Sequence, residues 1–182
     1  FIGILTETVL SMAKKEALVG SYVDIHDAAT EVERICNAYN SLDIDCTVLL
    51  THIGFEEDKL LAAQLDPSLG VDIIIGGHSH TYLEKPEEVN GILIAQAGTG
   101  TDQIGRFDLE IDTDSNSICG FSWKSVPITD EHCPRDLALE GIMNQYKLAT
   151  DKKYSRVVTR LKRRLTHPSW YRETELGGFI AD

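Results

Sequence analysis

The sequence predicts an α/β fold. Apolar runs of strand length at residues 1–5, 43–50 and 71–75 alternate with segments of helical periodicity, and beyond Pro86 short strands are divided by Gly- and Asp-rich turns. Composition agrees with this class. The chain has 182 residues, 42% hydrophobic and 25% charged, which excludes collagen-like, coiled-coil and wholly disordered readings. No apolar run approaches the ~18 residues needed to span a bilayer.

Residues 1–5 (Phe-Ile-Gly-Ile-Leu) read as a buried strand, and no initiator Met precedes them. The chain therefore reads as a piece of a longer protein. Residues 11–23 are ambiguous, with Gly20 marking a break. Asp27 is suited to cap a helix over 28–40, where Val32, Ile35, Cys36 and Tyr39 follow the i, i+3, i+4, i+7 rule. Residues 43–50 end as an apolar strand, and Thr51-His52-Ile53-Gly54 is expected to form the loop at its carboxyl end. A short helix over 56–65 closes at Leu69-Gly70, the strand 71–75 follows, and Gly76-Gly77-His78-Ser79-His80 is the next loop. Two strand–loop units joined by a helix make a β-α-β pattern. Residues 91–96, 105–112 and 118–126 are expected to form an antiparallel meander. A helix over 135–151, with Pro134 near its start, leads into a basic stretch. The expected organisation is a body over 1–133, a linking helix and basic connector over 134–172, and the start of a further domain over 173–182.

The net charge of −12 is uneven. Residues 1–146 hold 8 Lys and Arg against 25 Asp and Glu, a net of −17, whereas residues 147–182 hold 9 against 4, a net of +5. An acidic body disfavours a nucleic-acid polymer as partner. It still permits one nucleotide at a bound cation, whose charge dominates the local field. The stretch from Lys152 to Arg164 reads as the solvated face of a connector. Cys36, Cys46, Cys119 and Cys133 are widely spaced without a C-x-x-C pair. Cys36 and Cys46 read as small core residues, and the pattern leans towards a reducing compartment, favouring the cytoplasm over the periplasm or cell surface.

Three of the six histidines, His52, His78 and His80, immediately follow buried-type strands. In open α/β sheets the carboxyl ends of strands are where ligands bind. Neutral imidazole is a common ligand for Zn, Mn, Fe or Co. A pair at i, i+2 in a Gly-rich loop can point its rings in different directions, so His78 and His80 can serve different ions. His132 and His167 lie near prolines and read as surface residues. Asp24-Ile25-His26-Asp27 spells a metal-like D-x-H-D, but local capping explains it better. Glu56-Glu57-Asp58 reads as an acidic helix start suited to the dipole, and Gly98-Thr99-Gly100-Thr101 as a turn near the site.

Thr51-His52-Ile53-Gly54 followed by Val71-Asp72-Ile73-Ile74-Ile75-Gly76-Gly77-His78-Ser79-His80 resembles the last two metal motifs of the calcineurin-like metallophosphoesterases. The tail Glu173-Thr174-Glu175-Leu176-Gly177-Gly178-Phe179-Ile180-Ala181-Asp182 resembles the opening of the C-terminal domain in their 5′-nucleotidase/2′,3′-cyclic-nucleotide phosphodiesterase branch, with Gly178 and Phe179 departing from the usual Asn and Leu. The resemblance implies part of a four-layer α/β/β/α sandwich with mixed parallel and antiparallel strands. It implies two divalent metal ions, one held by His52 and His78 and the other by His80, with Zn, Mn, Co or Fe as candidates. The remaining ligands and the catalytic His belong to D-x-H, G-D and G-N-H motifs expected upstream, so no catalytic residue is assigned here and the isolated chain is expected to be nearly inactive.

The implied chemistry is metal-assisted hydrolysis of a nucleotide or other small phosphoester. It should fail at low pH, where the three histidines protonate. Alternatives are a nucleotide-sugar diphosphatase of the same superfamily and a non-catalytic metal-binding or interaction module. No membrane partner is expected. Dimerisation, or pairing with the missing N-terminal half, is.

Overall fold

The computed structural model describes residues 1–5, 28–168 and 172–181. The ambiguous stretch 11–23, the D-x-H-D sequence and the proposed cap Asp27 lie outside the described residues. The chain forms two compact units, Phe1–Pro134 and Arg135–Asp182.

In the first unit the elements are β1 (Ile2–Leu5), α1 (Ala28–Tyr39), β2 (Thr47–His52), α2 (Phe55–Gln64), β3 (Val71–Ile75), β4 (Glu87–Val89), β5 (Ile92–Ala95), β6 (Gln103–Asp112) and β7 (Ser117–Pro127). Five strands make one sheet in the order β1-β2-β3-β5-β4. β1, β2, β3 and β5 are parallel, and β4 runs antiparallel along β5. β6 and β7 form a separate antiparallel pair.

The expected meander is therefore corrected. Residues 92–95 form β5 of the parallel sheet, and of the three expected strands only β6 and β7 pair antiparallel with each other. Ile92, Leu93, Ile94 and Ala95 are all buried, because helices cover one face of this sheet and the hairpin covers the other. Continuous burial of this kind belongs to a parallel strand covered on both faces rather than to a half-exposed meander.

Two apolar clusters hold the layers. Leu49, Ile74, Ile92 and Ile94 pack with Val32 of α1 and with Leu61, Ala62 and Leu65 on the α2 side. On the opposite face Val48, Ile73 and Leu93 pack with Phe107, Leu109 and Ile118 of the hairpin. Each fully buried aliphatic side chain contributes about 1.5–3 kcal/mol. The result is a mixed α/β fold with three layers in this unit: helices, main sheet and hairpin. Cys36 packs against the first cluster and Cys46 against the second, as small core residues should. In α1 the buried residue is Val32, whereas Tyr39 is 53% exposed.

The second unit contains α3 (Leu137–Tyr154) and α4 (Glu175–Ala181). α3 begins two residues later than expected because Asp136 caps it, its Oδ1 accepting the N–H groups of Ala138 and Leu139, both at 3.0 Å. Among the described residues no helix is long and apolar enough to cross a membrane.

Candidate metal centre

β2 and β3 are parallel neighbours, so their carboxyl ends lie side by side. His52 is the last residue of β2 rather than part of the following loop. The ladder runs further than expected because Thr51 pairs with Ile4 and His52 with Leu5. After β3 the chain enters Gly76-Gly77-His78-Ser79-His80. His78 (φ 73°) and His80 (φ 55°) both take the left-handed conformation, uncommon for a residue with a side chain though less so for His.

The imidazoles of His52 and His78 meet edge to face, with ring centroids 5.1 Å apart and planes at 72°. A Cβ on Gly77 would lie 3.0 Å from His52 Nδ1 and 3.3 Å from the Thr51 carbonyl oxygen, and one on Gly76 would overlap Asp58 Oδ2. The two glycines thus let the β3 loop press against the end of β2. All three histidines are exposed at this rim. Only two of the three rings are brought together: among the described residues no three His, Cys, Asp or Glu side chains group closely enough to hold one ion. His80 does not complete a triad with the pair.

Three buried polar residues, Thr51, Asp58 and Gln96, lie beneath the rim, and sequence reasoning misses the last two. Asp58 belongs to the expected acidic helix start, yet it is completely buried. Thr51 Oγ1 donates to its Oδ1 at 2.6 Å, while Oδ2 has no partner among the described residues. Burial pushes its carboxyl up to about 6, against a smaller lowering by the Thr51 hydrogen bond. Gln96, at the end of β5, is 3% exposed and accepts hydrogen bonds from Ser79 and Thr81. No local signal marks Gln96. Asp58 does carry a hint, since it shares a helix face with the apolar Leu61 and Ala62. His132, by contrast, is exposed and pairs with the Thr129 hydroxyl at 2.9 Å. His167 contacts the Thr174 hydroxyl at 2.8 Å.

Two imidazoles meet at the carboxyl edge of a parallel sheet, the edge at which open α/β sheets bind ligands. Similar proteins narrow the class. The chain is 30% identical over 171 residues to the trifunctional nucleotide phosphoesterase protein YfkN of Bacillus subtilis (strain 168), an alignment covering 90% of this chain and 11% of that protein. It is 24% identical over 184 residues to the 5′-nucleotidase of Mus musculus, covering 90% of this chain and 31% of the relative. Among solved structures, a 5′-nucleotidase precursor from Thermus thermophilus superposes with a TM-score of 0.65 at 23% identity, over 77% of this chain and 30% of that one. No family model matches. These likenesses support a fragment of the metallophosphoesterase/5′-nucleotidase family, and the chain spans less than a third of the length of these relatives.

Proteins of this family generally use divalent metals. The donor chemistry of the rim fits such an ion: two imidazoles side by side and exposed, one at the end of β2 and one in the loop after β3. Asp58, enclosed and hydrogen-bonded to Thr51, is not placed to be a ligand.

Proposed function

We propose that the protein carrying this chain hydrolyses nucleotides or similar small phosphoesters with two divalent metal ions, His52 and His78 serving one ion and His80 the second. The edge-to-face meeting of His52 and His78 at the carboxyl rim of the parallel sheet carries this reading. The likeness to nucleotide-processing proteins supports it. When bound, the ions supply positive charge against the phosphate oxygens and lower the pKa of the attacking water. The chain's own part is to present imidazole nitrogens at a set spacing. Gly76 and Gly77 let the loop after β3 approach the end of β2, where His52 sits. The rest of the ligand set and the catalytic His are assigned to the motifs expected upstream. The four cysteines are free thiols, which suits a reducing compartment such as the cytoplasm.

The test is turnover by the intact protein, with Mn²⁺ and after chelation, on a 5′-nucleotide, a cyclic nucleotide, a nucleotide-sugar diphosphate and a chromogenic phosphodiester. Activity should require metal and favour one of the first two. His78→Ala should abolish it while the circular dichroism spectrum stays unchanged. Near-normal turnover in that variant would remove His78 from the site.

A further inference from the structure

Ser79 stands between the two histidine-bearing loops. Its Oγ accepts the N–H of Phe55 at 3.1 Å, the first residue of α2 and three positions beyond His52. The same oxygen donates to Gln96 Oε1 at 3.0 Å, and Oε1 also accepts the Thr81 N–H at 2.9 Å. A backbone N–H can only donate, so the amide oxygen of Gln96 must face the loop. The single proton of Ser79 therefore goes to Gln96, and the Thr81 hydroxyl, 2.8 Å away, donates to Ser79. Backbone bonds from Leu83 N–H to the Gln96 carbonyl and from Gly98 N–H to the Thr81 carbonyl continue the same seam. One buried acceptor at the end of β5 thus ties the loop of His78 and His80, through Ser79, to the turn that follows His52.

We propose that Gln96 is a positioning residue of the imidazole pair: through Ser79 it sets the spacing at which His52 and His78 meet a metal ion. This rests on the reading of His52 and His78 as metal ligands. The Gln96 amide bonds to the loop, not to either ring. It acts by removing the freedom of the two loops to part, and partners that orient ligands from behind typically alter metal affinity 10–100-fold. Gln96→Leu keeps the bulk and removes the acceptor, whereas Gln96→Glu keeps an acceptor oxygen.

The test is a Co²⁺ titration of the intact protein, followed by visible absorption, for wild type, both Gln96 variants and His78→Ala. Folding is checked by circular dichroism and thermal melting. The signal to follow is the Co²⁺ absorption that His78→Ala abolishes. Gln96→Leu should weaken that binding about 10–100-fold while melting well above the assay temperature, and Gln96→Glu should restore most of the loss. A folded Gln96→Leu protein with wild-type Co²⁺ affinity and spectrum overturns the proposal. Should Gln96→Leu fail to fold, Ser79→Ala, which removes only the bridging hydroxyl, is read by the same criterion. Wild-type protein that binds no Co²⁺, or binds it equally after His78→Ala, overturns the metal reading itself, a result distinct from failure of the Gln96 role.

Discussion

Asp58 is completely buried, with one carboxylate oxygen lacking a partner among the described residues. Its carboxyl is raised to about 6 from an ordinary 3.8. The folded state therefore holds this proton more tightly than the unfolded chain does. The resulting stabilisation is fully present below about pH 4 and is lost as pH rises through about 6. The two values differ by roughly 3 kcal/mol of free energy. Asp58→Asn keeps an acceptor for the Thr51 hydroxyl and removes the titration. It should raise the urea midpoint at pH 7 relative to wild type by more than it does at pH 4. Equal differences at both pH values would show that Asp58 does not titrate in this window. The fully buried side chain also explains why position 76 is Gly, since a Cβ there would overlap Asp58 Oδ2.

At the scale of elements, the hairpin of β4 and β5 shows how a short strand is attached. Asn90 and Gly91 have φ of 54° and 79°, suited to a two-residue turn between antiparallel strands, and Val89 pairs with Ile92 across it. The Asn90 side chain does more than turn the chain. Its Nδ2 donates to the carbonyls of Ala62 at 3.1 Å and Leu65 at 2.7 Å, at the end of α2 where helical partners run out. Asn90→Gly preserves the turn and removes the cap, and should cost about 1–2 kcal/mol in denaturant unfolding. Asn90→Ala should cost more, because it adds a left-handed backbone penalty. If Asn90→Gly unfolds at the wild-type midpoint, the cap contributes nothing. The Asn90-Gly91 pair is readable as a hairpin signal, yet β4 itself, three residues of Glu-Glu-Val, carries too little apolar pattern to announce a strand.

For the whole molecule, one side of the main sheet ends at β1, which pairs only with β2 among the described residues. A parallel edge without a second partner among the described residues is a template for further pairing. The isolated 182-residue chain should therefore self-associate. Its net charge of −12 opposes this, so association should strengthen as salt screens the repulsion. Light scattering at two ionic strengths reads the mass directly, and a monomer at high concentration in both would count against an open edge.

The sequence alone determined the order and type of most elements and located the imidazoles at strand ends, because apolar periodicity and Gly-rich loops are local signals. Val71–Ile75 matches its expected span, and α1 and α2 lie within a residue of theirs. The motifs around His52 and His78 are equally legible, since strand, histidine and glycine are written contiguously in both. Tertiary structure decided that residues 92–95 join the parallel sheet, that Asp58 turns inward, that Gln96 reaches back to Ser79, and that two rings meet while His80 stands outside their group. The contacts behind these outcomes join residues 7 to 26 positions apart, from Thr51 with Asp58 to His52 with His78. A chain's local text does not record which distant group will remove a polar side chain from water.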